Sequence, residues 1–291
     1  MPINPPPDAD AAELSPSGPY RALKQFGLVI LCAAWIVLGL VGHDPWKTED
    51  ATAFGVAWSI LQDDNWLAPT LAGEPYVDRP PLVYAAAALF GKALAPPLPT
   101  HDAARLAAGF FLALTLFVLS LTARELYNPT FRWLPVLLFI GSVGLWDRAH
   151  QLSPEVGLLL GVALSFYGFA LALQRGALGG AMLGLGIAIA FLARGFMGPL
   201  WLLATALVLP IAFVGWRNRR YALTIAVALA VAVPLSASWP LALAEYAPEH
   251  LEAWWQARSI GEYFSPLAEH RTSDALYLIK NLPWYAWPSL P

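Results

Sequence analysis

From His43 to Leu94 the chain reads HDPWKTEDATAFGVAWSILQDDNWLAPTLAGEPYVDRPPLVYAAAALFGKAL. It is the longest polar interval after the N-terminal tail in a sequence otherwise built of apolar runs. It holds Asp44, Glu49, Asp50, Asp63, Asp64, Glu74 and Asp78, with Lys47, Arg79 and Lys92 among them. So many carboxylates between two hydrophobic regions point to a solvated or cavity-lining loop at a membrane face, where ionisable side chains mark function.

The rest of the chain sets that reading. Its 291 residues are 58% hydrophobic and only 13% charged, against about a quarter charged in a soluble domain. Apolar runs of about 18 to 20 residues recur along the length, the mark of a polytopic helical membrane protein. A net charge of −3, with no long basic run, excludes a nucleic-acid partner. The single cysteine, Cys32, excludes an intramolecular disulfide and a cysteine-based metal site. Thirteen Trp and ten Tyr suit interfacial belts.

Residues 1–20 are rich in Pro, Ala, Ser and Asp and are read as a disordered cytoplasmic tail; residues 21–291 are read as one transmembrane domain. Arg21 and Lys24 precede a first span at 26–42. Within the polar stretch, 49–62 has helical spacing that puts Phe54, Ala57, Trp58 and Leu61 on one face, as in a helix lying on the membrane surface. Pro80-Pro81 opens 82–94, which at 13 residues is short for a crossing and reads as a second juxtamembrane or re-entrant helix. Further spans are expected at 103–123, 133–146 and 156–173, two more within 177–214, and one at 221–240. A surface helix near 248–264 and a last apolar segment at 275–290 follow. The fold class is therefore all-α, a transmembrane bundle of about seven to eight spans with juxtamembrane helices in its first outer loop.

Charge fixes the orientation. With 82–94 kept outside, Arg21, Lys24, Arg124, Arg132, Arg175, Arg217, Arg219 and Arg220 share the cytoplasmic side, and of the acids only Asp8, Asp10, Glu13 and Glu125 join them. Short basic loops inside satisfy the positive-inside rule. The polar intervals 43–81, 147–155, 194–199 and 245–274 then face the other way together, as a site requires.

The ordered motifs resemble a known family. They are Glu49-Asp50, then Asn65-Trp66-Leu67-Ala68-Pro69, then Tyr76-Val77-Asp78-Arg79-Pro80-Pro81-Leu82, then Pro154-Glu155, then Leu192-Ala193-Arg194-Gly195. Arg105-Leu106 and Leu282-Pro283-Trp284 add to the pattern. This order resembles glycosyltransferase family 39, with its GT-C membrane fold, which includes lipid A 4-amino-4-deoxy-L-arabinose transferases and protein O-mannosyltransferases. Each motif alone is weak; the set, over about 20–290, is more specific. The chain departs from the pattern in having Glu49-Asp50 for Asp-Glu, Arg79 and Arg194 for lysines, and Glu155 for aspartate. Such enzymes also continue into further spans and a C-terminal domain, so the domain is expected to be incomplete at its C-terminus.

The resemblance implies transfer of a sugar from a polyprenyl-phosphate donor to a lipid, glycan or protein acceptor, on the periplasmic face of a bacterial inner membrane. It makes Glu49 the catalytic base and Asp50 its partner, orienting substrate or raising the affinity of Glu49 for a proton. As residues alone, the two read equally as first-turn acids of a helix. Arg79 and Arg194 are candidates for the lipid phosphate, which a guanidinium holds with parallel hydrogen bonds; snorkelling at a span end is the other reading. Asp78 and Glu155 are candidates for binding the acceptor or a divalent cation, while Asp78 could equally pair with Arg79. No spacing assigns a metal, and no other cofactor is expected. Arg148 and His150 are weaker candidates, Asp63-Asp64 read as a solvated helix end, and Trp254-Trp255 as an interfacial anchor. Two other functions fit a membrane chain with buried arginines: a transporter or flippase of a lipid-linked anion, or a catalytically incomplete scaffold. A transporter favours internal repeats, and none is visible.

Overall fold

The computed structural model describes residues 18–127 and 129–258, and beyond them Leu276, Lys280, Leu282, Pro283 and Trp287. The expected tail up to residue 17, the end of the expected 248–264 helix and most of the last apolar segment lie outside the described residues. Eleven α-helices occur in the described part: α1 (Gly18–Val37), α2 (Thr48–Asp63), α3 (Leu82–Leu94), α4 (Thr100–Leu126), α5 (Leu134–Gly141), α6 (Val143–Ala149), α7 (Pro154–Ala172), α8 (Gly176–Arg194), α9 (Met197–Ala212), α10 (Arg219–Tyr246) and α11 (Pro248–Arg258). A two-residue-per-strand hairpin, β1 (Thr70–Leu71) and β2 (Glu74–Pro75), sits between α2 and α3. Its turn, Ala72-Gly73, has positive φ at both residues, the twist that a tight hairpin needs.

By length and composition, α4, α7, α8 and α10 can each cross a membrane. Four shorter apolar segments accompany them: 22–37, 82–94, 129–141 and 197–212. Their packing is set by small residues. A Cβ on Gly168 of α7 would come within 2.5 Å of the Leu183 amide nitrogen on α8, and one on Gly180 of α8 within 2.5 Å of the Thr224 carbonyl oxygen on α10. Glycine at these points lets the backbones touch, which is how helices gain contact where lipid replaces water. The matched pairs place α8 antiparallel to α7 and parallel to α10.

The helix directions define two ends. α4 and α7 start, and α8 and α10 finish, at the end that carries the loop 43–81. Both ends of α3 stay near this same end: Gly91 lies against Thr100, the first residue of α4, and Val83 against Gly157, one turn into α7. The short 82–94 segment therefore does not run the length of the bundle, as its length predicted. At the opposite end Arg175 pairs with Glu125 at 3.8 Å, and Arg220 donates to the Leu173 carbonyl.

Two expectations are corrected. The segment 133–146 is not one helix: it breaks at Ser142, whose hydroxyl donates to the Leu138 carbonyl, into α5 and α6. On α2 the buried apolar residues are Ala53, Val56, Ala57 and Ile60, in one core cluster with Ala87 and Ala88 of α3; of the expected surface-helix face, Ala57 is buried, Phe54 and Leu61 are partly buried against that core and Trp58 is exposed. Trp254 is no interfacial anchor. It is fully buried among Phe191, Phe196 and Trp239, while Trp255 beside it is exposed.

Candidate active site

The loop after α1 is closed by a buried cluster of charge. Arg105, on the second turn of α4, is 1% exposed. Its Nε and Nη2 donate to Asp50 Oδ1 and Oδ2 at 3.4 and 3.1 Å. Its Nη1 donates to Asp102 Oδ1 at 3.1 Å and to the carbonyls of Leu40 and His43. Asp102 Oδ2 accepts from the Gly42 amide. Asp50 also accepts from the amides of Leu152, at 2.9 Å, and Trp46. A buried guanidinium making five hydrogen bonds, and carboxylates that each accept several, is the arrangement in which buried charge is tolerated. The sequence reading placed Asp50 beside the base; the structure engages both its oxygens with Arg105, Trp46 and Leu152.

Glu49, the preceding residue on α2, turns the other way. Its carboxylate is partly exposed and accepts from Arg148 Nη1 of α6 at 2.8 Å. A single residue step, about 100° around the helix, thus divides the acidic pair: Asp50 faces the core and Glu49 faces the surface. Arg148 was a weak candidate in sequence. His150 sits where α6 ends, with its ring nitrogens against the carbonyls of Trp146 and Trp35, and so joins α6 to α1.

A second cluster lies three residues along from Leu152. Glu155, in the first turn of α7, receives Arg79 Nη1 on its Oε1 at 3.2 Å. Arg194, the last residue of α8, pairs with the same Oε1. Glu155 Oε2 is buried with no hydrogen-bond partner. The two phosphate candidates, distant in sequence, therefore meet on one of the acceptor or cation candidates. After Arg194 the chain turns at Gly195, φ +76°, a conformation that side chains other than glycine rarely take. Asp78 is half-buried next to Arg79. Tyr84, one turn into α3, packs its ring edge-on to Tyr76. Burial, and then the neighbouring Tyr76 hydroxyl, push the Tyr84 phenol well above its ordinary range. It is a neutral hydroxyl near Arg79.

The segment 148–155 joins these clusters. Its start holds Glu49, its middle is held by Asp50, and its end holds Arg79 and Arg194. The three residues from Leu152 to Glu155 reach at most about 11 Å. The motif Asn65-Trp66-Leu67-Ala68-Pro69 frames the other side. Asn65 exchanges two hydrogen bonds with the Ala68 backbone, and Trp239 of α10 donates to the Leu67 carbonyl at 3.0 Å. Asp63 and Asp64 are exposed at the end of α2, where Trp66 Nε1 donates to Asp64.

A cavity of about 470 Å³ opens between the end of α8, the last turns of α10 and α11. Phe191, Phe196, Leu241, Leu251, Trp254 and Trp255 line it. Among the described residues no three His, Cys, Asp or Glu side chains converge on a metal position.

Comparison with solved structures decides the fold. ArnT from Cupriavidus metallidurans bound to undecaprenyl phosphate matches 93% of this chain and 49% of its own, with a TM-score of 0.70 and 16% sequence identity. Its apo form matches 92% of this chain with a TM-score of 0.71. The chain has the GT-C fold of ArnT. Curated relatives are similar along nearly all of this chain. An undecaprenyl phosphate-α-4-amino-4-deoxy-L-arabinose arabinosyl transferase from Pseudomonas fluorescens is 25% identical over 309 residues, 97% of this chain and 51% of that protein. One from Serratia proteamaculans is 27% identical over 285 residues, 91% of this chain and 49% of that protein. The chain spans about half the length of the curated relatives it matches. No family model matches it.

Proposed function

We propose that the chain carries the donor-phosphate site and the acceptor base of a polyprenyl-phosphate-sugar-dependent glycosyltransferase. The observation that carries the reading is the meeting of Arg79 and Arg194 at one point, joined through 148–155 to an accessible Glu49. Two guanidiniums aimed at one anion match a phosphate leaving group. The similarity to transferases named for undecaprenyl phosphate, and to ArnT bound to it, supports the same chemistry.

In this reading Glu49 takes the proton of the acceptor hydroxyl as its oxygen attacks the anomeric carbon. Direct attack inverts that centre. Arg79 and Arg194 hold the phosphate as it departs. Arg148 orients the Glu49 carboxylate, and Asp50, fixed by Arg105, positions the turn that presents it. The aromatic cavity at the end of α8, lined by Phe191 and Phe196 on either side of Arg194 in sequence, offers apolar walls for the lipid. Asp78 borders the phosphate site on the acceptor side. The polar end faces the periplasm across a bacterial inner membrane, with the basic end in the cytoplasm. A carboxylate held as a base also separates this reading from a flippase, which needs no base.

The test is transfer of labelled sugar from an undecaprenyl-phosphate donor in membranes carrying the wild-type chain or Glu49→Gln. Loss of transfer in the variant supports the assignment. Equal transfer in both would remove Glu49 as the base.

A further inference from the structure

Resting on that phosphate site, we infer that Glu155 sets its charge, so that the phosphodiester donor binds at least as tightly as the phosphomonoester product. The reaction changes the charge of the lipid. The acceptor oxygen forms a bond to the anomeric carbon, the bond from that carbon to the phosphate oxygen breaks, and its electron pair leaves on that oxygen. The hydroxyl proton goes to Glu49. A polyprenyl phosphate bearing a sugar is a diester with one negative charge. The polyprenyl phosphate left behind is a monoester, whose second ionisation near pH 6 brings it to about −1.5 to −2 at pH 7.

Two arginines alone would favour the more highly charged product. An enzyme built that way would hold its product more tightly than its donor. Glu155 changes the balance. Its Oε1 lies against both Arg79 and Arg194, so the three side chains together carry one positive charge, not two. That matches the diester. The dianion gains less, because its extra charge meets a carboxylate at the same guanidiniums, and like charge at close range disfavours binding.

The position of Glu155 supports a role in charge selection beyond simple pairing. Its Oε2 is buried without a hydrogen-bond partner, which disfavours keeping the carboxylate there unless the charge itself is useful. It stands in the first turn of α7, where a helix N-terminus attracts negative side chains. Tyr84 packs near Arg79, Asp78 and Tyr76, and the Asp78 carboxylate next to Arg79 adds to the same discrimination.

The experiment measures binding of farnesyl phosphate and of its methyl diester to the full chain in nanodiscs. Wild type should bind the diester at least as tightly as the monoester. Glu155→Gln should tighten the monoester by about tenfold and leave the diester within a few-fold. Glu155→Asp, which keeps the charge, should keep the wild-type ratio. A wild-type preference of about tenfold for the monoester overturns the inference, and needs no variant to fold. So does an equal shift of both ligands in Glu155→Gln. Arg79→Gln and Arg194→Gln separate the two ideas: if both bind the ligands as wild type does, the phosphate site itself is misplaced. If they lose both ligands while Glu155→Gln fails to discriminate, only the role of Glu155 falls. In turnover, Glu155→Gln should show stronger inhibition by added undecaprenyl phosphate.

Discussion

Arg105 grips Asp50 through two nearly parallel hydrogen bonds, at 3.4 and 3.1 Å, with both side chains almost wholly buried. This pair fastens the start of α2 to α4, and through the Leu152 amide it also fastens the turn before α7. Removing one member leaves the other charge buried and unpaired. Asp50→Asn and Arg105→Met should each destabilise the fold by about 3–5 kcal/mol. Thermal unfolding in detergent would show it, and the double variant should recover part of the loss. Additive losses in the double variant would mean that the pair is not coupled.

Glu49 should behave in the opposite way. Its contact with Arg148 is exposed, and such a pair contributes about 0–1 kcal/mol. Glu49→Gln should therefore leave the unfolding temperature where it is while lowering transfer by about 10²–10⁴-fold. Glu49→Asp restores the residue that the family pattern has there and should retain more activity than Gln. Arg148→Gln should lower transfer less than Glu49→Gln, again without loss of stability.

Arg79→Lys keeps the charge but loses the planar fork of donors. Its chief effect should be on the donor, as a higher KM that grows further in Arg79→Gln. Steady-state kinetics at varied donor concentration distinguishes this from a general loss of kcat. A variant with unchanged KM and unchanged kcat would exclude contact with the phosphate.

Tyr84 gives a prediction at alkaline pH. Its phenol is raised above the ordinary value of 10.0 in the folded chain, by burial first and by Tyr76 second. The folded state then holds the proton that the unfolded state gives up above that pH. Stability should be unaffected by this group below about pH 10 and should fall as the pH rises beyond it. Tyr84→Phe should remove that part of the alkaline loss. An unchanged pH profile in the variant would show that Tyr84 ionises normally.

Gly180 tests the packing. A leucine there meets the Thr224 carbonyl and the Val227 side chain of α10. Forced overpacking of this kind commonly costs about 1–3 kcal/mol. Gly180→Leu should unfold at lower temperature, whereas Gly27→Leu, where nothing lies within 4 Å, should not.

What the sequence revealed was what local pattern controls. The apolar runs marked the long helices, and the 13-residue length of 82–94 marked a helix that does not run the length of the bundle. Pro80-Pro81, Glu49-Asp50 and Arg194-Gly195 located the polar elements that the fold brings to one end. What it could not reveal depends on partners far along the chain. Arg105 reads as an arginine near a helix start; its burial requires Asp50, Asp102 and two carbonyls from other segments. Trp254 reads like Trp255, and only Phe191, Phe196 and Trp239 make one buried and the other exposed. The spacing of 49–62 marked a helix, but that it buries Ala53, Val56, Ala57 and Ile60 against α3 depends on Ala87 and Ala88, further along the chain. The meeting of Arg79, Glu155 and Arg194 had its signal in the motif order, but no spacing rule predicts which carboxylate two arginines will share.

The segment from Arg148 to Glu155 has a geometric consequence in an enzyme of the proposed kind. It is a ruler. Pinned near one end by Arg148 and Glu49, in its middle by Asp50, and at the other end by two arginines, it fixes how far the proton acceptor stands from the departing phosphate. That interval must hold one sugar ring and one attacking oxygen. Lengthening or shortening the segment by a residue would leave every catalytic side chain present and change the gap between them. In the proposed enzyme the length of this loop sets how wide a sugar fits between base and phosphate.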